Sequence, residues 1–181
     1  MACGKGGDLP KYMAASIGSY VGVDIAAGSI GHARTRYSQR YSKHFPAEFE
    51  ARDAFGEDLC GLFAGRPLFD VVSCQFAIHY SFMTPARART ALANAAAHLR
   101  PGGRFVGTTL DANVLVRRLR SAPSDSFGSS LVHIRFSPPA GSSKRFPASA
   151  AFGIEYRFTL AGAVEDCPEY LVPWTAFEKA S

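Results

Sequence analysis

No run of apolar residues in this 181-residue chain is long enough to span a bilayer. The N-terminus also lacks the charged, apolar and small-residue layout of a signal peptide. Four cysteines are present, Cys3, Cys60, Cys74 and Cys167, with no CxxC pair and no zinc-like spacing. They read as reduced, mostly buried thiols of an intracellular protein, and they exclude a disulfide framework and a structural metal site. No Ser-His-Asp arrangement supports a hydrolase, and no internal repeat suggests a solenoid. What remains is ordinary globular composition, 47% hydrophobic and 19% charged, sized for one domain over 1–181. A net charge of +5 is compatible with an anionic partner and excludes little.

Short β-rich runs alternate with helix-like stretches. Tyr20 to Val23 is β-branched and aromatic and ends in Asp24. Residues 29 to about 43 follow as a helix, with Ile30, Ala33, Tyr37 and Tyr41 on one face. Pro46 closes it, and Ala47–Ala51 can form the next strand. Phe69–Phe76 reads as a buried strand. Thr84 and Pro85 suit the N-cap and first turn of a helix running to Leu99. Pro101-Gly102-Gly103 should stop that helix, with a strand over Arg104–Thr109 after it. This β-α-β alternation predicts a parallel sheet with helices on both faces. Residues 121–150 are rich in Ser, Pro and Gly, with Pro138–Ser143 the clearest loop. Leu131–Phe136 and Glu155–Leu160 flank that loop and could pair antiparallel. Both ends look cut: a Gly-rich turn needs a strand before it, and Trp174–Ala180 begins another helix. The chain therefore reads as a fragment or a mis-started gene model.

Cys3-Gly4-Lys5-Gly6-Gly7-Asp8 followed by a helix is a cofactor-loop candidate, because glycines let a ligand approach the backbone closely. Asp24 lies at about the spacing where an acid reaches ribose hydroxyls. A plain strand-to-helix turn with a helix-start acid accounts equally well for these two features. They also do not separate NAD from S-adenosylmethionine, since both carry an adenosine. Asp53, after the Ala47–Ala51 strand, could accept from an adenine amino group. Leu99-Arg100-Pro101-Gly102-Gly103 resembles a turn common in S-adenosylmethionine-dependent methyltransferases. Together these favour the methyl donor.

Ser73-Cys74-Gln75-Phe76-Ala77-Ile78-His79-Tyr80-Ser81-Phe82 is similar to the Gln-Phe-x-x-His-Tyr segment of eukaryotic mRNA cap guanine-N7 methyltransferases. Cys3–Asp8 resembles that family's Gly-rich loop, and Val23-Asp24-Ile25-Ala26 its acid-bearing strand end. Pro168-Glu169-Tyr170-Leu171-Val172 resembles its late acidic segment. Phe105–Thr109, Ser126-Phe127 and Tyr156–Leu160 fall in family order, so the resemblance runs along almost the whole chain. It implies a class I S-adenosylmethionine-dependent methyltransferase fold: α/β, Rossmann-like and largely parallel, with the first strand and C-terminal strands missing. It implies a donor site of Ala2, Gly4, Asp24, Asp53, Gln75 and Tyr80 for S-adenosylmethionine. Lys5, Lys11 and Arg36 would face the cap triphosphate, and Phe76, His79, Tyr80 and Glu169 the guanine. The implied partner is the capped 5′ end of mRNA, with other capping enzymes or the transcription machinery as further candidates. The implied compartment is the nucleus.

Physical chemistry supports those roles beside the resemblance. Guanine presents N1–H and an N2 amino group on one edge, and a carboxylate such as Glu169 can accept from both. Arg36 suits phosphate because its guanidinium fork matches phosphate oxygens. Taken singly, Glu169 could equally be a surface acid on a strand, Phe76 and Tyr80 core aromatics, and His79 a structural imidazole. Guanine N7 has a lone pair and no proton to lose, so no general base and no metal is expected. Positioning by His79, Tyr80 and Glu169 would suffice. Ala2 departs from the family, which has glycine there. The rival readings are a catalytically inert cap- or RNA-binding relic of the family and an NAD-dependent oxidoreductase.

Overall fold

Apolar spacing along α2 (Ala27–Arg40) sets the first layer: Ile30 and Ala33 are buried, and Tyr41 just beyond the helix is buried with them. The structure, a computed structural model, describes residues 1–146 and 151–180. Leu9 of the short α1 (Leu9–Ala14), Phe45 and Phe49 complete this core. β1 (Tyr20–Asp24) and β2 (Ala47–Ala51) pair in parallel, from Tyr20 opposite Ala47 to Asp24 opposite Ala51. The rings of Tyr20 and Phe49 lie 5.6 Å apart, and Tyr37 donates a hydrogen bond to the Phe45 carbonyl (2.5 Å). This aromatic cluster fixes the helix against the strands. α2 ends earlier than expected, at Arg40, with Tyr41 at φ −122° outside helical geometry.

β3 (Phe69–Gln75) pairs with β4 (Leu99–Thr108). Here the strand begins earlier than expected, since Pro101-Gly102-Gly103 lies inside β4, although Gly102 keeps the left-handed φ of +78° expected of a turn. The preceding helix, α3 (Pro85–Ala97), stops at Ala97, and Phe69 N–H then donates to the His98 carbonyl (2.8 Å). Gly103 is confined on two sides: a Cβ there would come 2.9 Å from the carbonyl oxygen of Arg100, three residues back in the same strand, and 3.2 Å from that of Asp70 on β3. One on Gly107 would come 2.5 Å from the Cys74 carbonyl oxygen. Thr84 caps α3 as expected, its hydroxyl accepting from Arg87 N–H (3.2 Å).

Among the described residues these strands stand as two separate pairs, β1-β2 and β3-β4. Met1–Cys3 lies between them. The Met1 amino group donates to the Ser73 carbonyl (2.8 Å) and Cys3 N–H to the Val23 carbonyl (3.0 Å), too few bonds to make a ladder.

Contacts divide the chain into two units, residues 1–75 with 93–107 and residues 76–92 with 108–181. The second unit carries a four-stranded antiparallel sheet in the order β5 (Ser126–Gly128), β6 (Val132–Phe136), β7 (Glu155–Leu160), β8 (Val164–Tyr170). The expected antiparallel pairing of the segments around the Ser/Pro/Gly-rich stretch is thus present, from Val132 opposite Leu160 to Phe136 opposite Tyr156. α4 (Ala112–Ser121) packs Leu115 and Leu119 into a core with Ile134, Phe136, Tyr156 and Leu171. Within the expected loop, Ala140–Ser143 instead makes one helical turn, α5, closed by Lys144 in the left-handed region. Residues 147–150 of that stretch lie outside the described residues. α6 (Trp174–Ala180) forms where a helix was expected. The four thiols are free, but only Cys74 is buried; Cys3 and Cys167 are half-buried and Cys60 is exposed. Burial pushes the Cys74 thiol up to about 11.

Candidate functional site

The candidate residues fall into two groups, each inside one unit. In the first, the turn Cys3–Gly7 is tied to the end of β1. Gly4 N–H donates to Asp24 Oδ2 (2.7 Å), and Ala26 N–H to Asp24 Oδ1 (2.9 Å). Each carboxylate oxygen can accept one further bond, so Asp24 can hold the turn and still take a pair of hydroxyls. Gly4 and Gly6 have φ +52° and +69°, and a Cβ on Gly4 would meet nothing within 4 Å, so a ligand can lie against it. Ala2 sits at φ +51°, a conformation that favours glycine by roughly 1 kcal/mol. The family's glycine at this position thus has a backbone reason, and Ala2 accepts the strain.

Asp53 follows β2 and accepts from Phe55 N–H (3.0 Å), forming a local turn. Asn94 of α3 pins the chain after it, donating from Nδ2 to the Ala54 and Glu57 carbonyls (3.0 and 2.7 Å) and accepting from Leu59 N–H (3.0 Å). Gln75, at the end of β3, donates to the Ser73 hydroxyl (3.0 Å). Arg36 reaches from α2 to the Gly6 carbonyl (3.4 Å), placing its guanidinium beside the Gly-rich turn. Lys5 is exposed. Lys11 is exposed too and pairs with Asp8 at 2.5 Å, an attachment weak enough for an anion to displace.

The second group is buried. Glu169 of β8 is only 6% exposed, and its Oε2 accepts from the Tyr156 hydroxyl (2.8 Å). His79 is 3% exposed; its Nε2 lies 3.4 Å from Glu169 Oε1 without hydrogen-bond geometry. Among the described residues neither of its ring nitrogens has a hydrogen-bond partner. Tyr80 packs on His79, ring centroids 4.2 Å apart, and its hydroxyl is 3.5 Å from Cys167 Sγ. Orphaned buried polar atoms are rare, because leaving them unpaired costs stability. Phe76 differs from this group: it is 65% exposed and held at φ +50°, an unusual conformation for a bulky residue. His79, Tyr80 and Glu169 therefore come together from distant positions, while Phe76 stands at the surface. Tyr156 and Cys167 were missed by sequence reasoning. The alternation of β7 and β8 across the Gly162 turn, with Tyr156 opposite Glu169, is the signal that could have found Tyr156.

Burial sets the protonation of this cluster. It raises the Glu169 carboxyl above its ordinary value, with the Tyr156 hydrogen bond opposing in part. It lowers the His79 imidazole to about 4, so His79 is neutral at physiological pH. Between about pH 6.5 and 4 the unfolded chain takes up a proton at this histidine that the folded chain does not. Stability therefore falls as pH falls through that window, by about 3 kcal/mol for His79. Glu169, with its raised value, works in the opposite sense as it gains its proton. His79→Phe should remove the histidine contribution and lose about 3 kcal/mol less than wild type over this range. Denaturant titrations at several pH values read the difference, and equal slopes would show that His79 is not buried as described.

Solved structures define the class first. A S-adenosylmethionine-dependent methyltransferase from Clostridium acetobutylicum superposes with a TM-score of 0.61 at 15% identity, covering 99% of this chain and 68% of that one. DesVI from Streptomyces venezuelae gives 0.56 at 18%, covering 99% and 70%. The fold is that of the class I methyltransferases. Residues 1–181 match the mRNA (guanine-N(7))-methyltransferase domain, and the chain belongs to that family. The mRNA cap guanine-N(7) methyltransferase 1 proteins of Arabidopsis thaliana and Oryza sativa subsp. japonica are each 50% identical to it, over 98% of this chain. The mRNA cap guanine-N(7) methyltransferase of Schizosaccharomyces pombe is 38% identical over 98% of the chain. The chain spans about half the length of these relatives: 50%, 49% and 49%.

Proposed function

We propose that this protein transfers a methyl group from S-adenosylmethionine to N7 of the guanine at a GpppRNA cap. The observation that carries this reading is the buried Glu169 beside His79, whose ring nitrogens have no hydrogen-bond partner among the described residues. A carboxylate accepts from guanine N1–H and the N2 amino group together, and adenine lacks that donor pair. A neutral imidazole has one N–H to give, and guanine O6 on the same edge can take it. The guanine would thus supply partners that the buried ring lacks. Tyr156 holds Glu169 in place through Oε2, and Tyr80 offers a ring for the base to lie against.

On the donor side, Asp24 has acceptor capacity left for ribose hydroxyls after holding Gly4 and Ala26. Ala2 and Gly4 would form the floor, with Asp53 at the adenine and Gln75 near the methionine moiety. Arg36 and Lys5 would meet the triphosphate, joined by Lys11 once it leaves Asp8. S-adenosylmethionine supplies the methyl on a sulfonium leaving group. The chain's residues need only align N7 with it, since N7 carries no proton. Family membership supports the same reaction, and a cap substrate would put the protein with mRNA synthesis in the nucleus. Other capping enzymes or the transcription machinery would be its neighbours there.

Calorimetry on the intact protein tests the donor half. S-adenosylhomocysteine should bind and NAD should not. Asp24→Ala should weaken donor binding by about 1–3 kcal/mol, the cost of a lost charge-assisted hydrogen bond, and leave GpppG binding unchanged. Unaltered donor affinity would remove Asp24 from the site, and NAD binding instead would favour an oxidoreductase.

A further inference from the structure

The second unit carries a basic groove that the guanine and donor sites do not use. Asp111 caps α4, its side chain accepting from Asn113 and Val114 N–H (2.7 and 3.2 Å). Buried Leu115 and Leu119 then fix which side of the helix meets solvent. On the exposed side stand Arg117, Arg118 and Arg120. Arg117 and Arg118 line a shallow groove of about 510 Å³ running to β5, with Ser121 and Ser126 hydroxyls and the half-buried ring of Phe127. Two other arginines of this unit are neutralised: Arg135 and Arg157 both pair with Asp166, at 3.3 and 2.9 Å. Among the described residues no ion pair engages Arg117, Arg118 or Arg120. Arg120 lies instead over the Phe146 ring, 5.9 Å from its centroid.

Forked cations, hydroxyl donors and an aromatic ring in one open groove are what a single-stranded RNA backbone and its bases require. An acidic peptide would satisfy the arginines but leave the ring without a base to stack on. We propose that the Arg117–Arg118–Phe127 groove binds the RNA strand that follows the cap, contacting phosphates and stacking one base. This rests on the cap-methyltransferase reading, because it names the remainder of that substrate.

The test uses the intact protein, a fluorescent uncapped oligoribonucleotide of about 12 nucleotides, and GpppG, with binding measured separately for each. The Arg117→Ala/Arg118→Ala double variant should bind the oligonucleotide about tenfold more weakly. Its salt slope should be shallower by roughly 1.4, at about 0.7 per lost phosphate contact. GpppG affinity should be unchanged. Phe127→Leu, which keeps an apolar side chain, should weaken oligonucleotide binding with an unaltered salt slope. Unchanged oligonucleotide binding in the double variant overturns the proposal, as does an equal loss for GpppG. If wild type binds the oligonucleotide through these arginines but not GpppG, the groove stands and the cap reading falls. If a polyglutamate peptide competes as well as RNA and Phe127→Leu has no effect, the groove is an acidic-protein site and the proposal is wrong.

Discussion

Glu169→Gln should abolish most cap methylation while leaving donor binding intact. The substitution keeps the shape and an oxygen for the Tyr156 hydroxyl, so folding should be nearly unaffected. What it removes is the charge and one acceptor, so an amide NH₂ would face the N1–H and N2 donors of guanine. A site built to hydrogen-bond a substrate group discriminates strongly once that pairing fails. The expected loss is at least about 100-fold in kcat/KM for GpppRNA, about 3 kcal/mol of transition-state stabilisation. S-adenosylhomocysteine affinity measured in parallel should not move. Wild-type rate with retained guanine preference would return Glu169 to a purely structural role.

Tyr156 should separate packing from positioning. It is 1% exposed and packs on Phe136, with ring centroids 5.7 Å apart. Tyr156→Ala removes a large buried ring and should cost roughly 3–5 kcal/mol of stability. Tyr156→Phe keeps the ring but strands Glu169 Oε2, a cost of about 1–3 kcal/mol. The phenylalanine variant should also bind GpppG more weakly, because the carboxylate is no longer held in one orientation. Chemical denaturation and cap-analogue binding read the two effects. If Tyr156→Phe matches wild type in both, the hydrogen bond to Glu169 does not organise the site.

Local features were legible in the sequence. The Ala47–Ala51 strand, the buried face of α2 and the Thr84 cap all follow from side-chain chemistry within a few residues. The Gly-rich turn and Asp24 were legible for the same reason, since one short hydrogen bond joins them. Pro101-Gly102-Gly103 was legible as a place where the chain turns, with Gly102 at φ +78°, but not as part of β4, because pairing with β3 decides where the strand starts. The two-pair arrangement of β1–β4 agrees with the expectation of a parallel sheet without its first strand. The buried cluster around Glu169 was legible only in part. His79 and Tyr80 sit in one recognisable segment, but Tyr156 reaches Glu169 through the register of β7 on β8. Register across a turn containing Gly162 is set by pairing, not by composition.

The central claim is tested most directly by transfer of labelled methyl from S-adenosylmethionine to GpppRNA and ApppRNA, with the modified nucleotide identified after digestion. Label should appear on N7 of the cap guanine of GpppRNA and be nearly absent from ApppRNA. No transfer despite bound donor and cap would identify an inert relic, and equal transfer to both RNAs would contradict a guanine-reading site at Glu169 and His79.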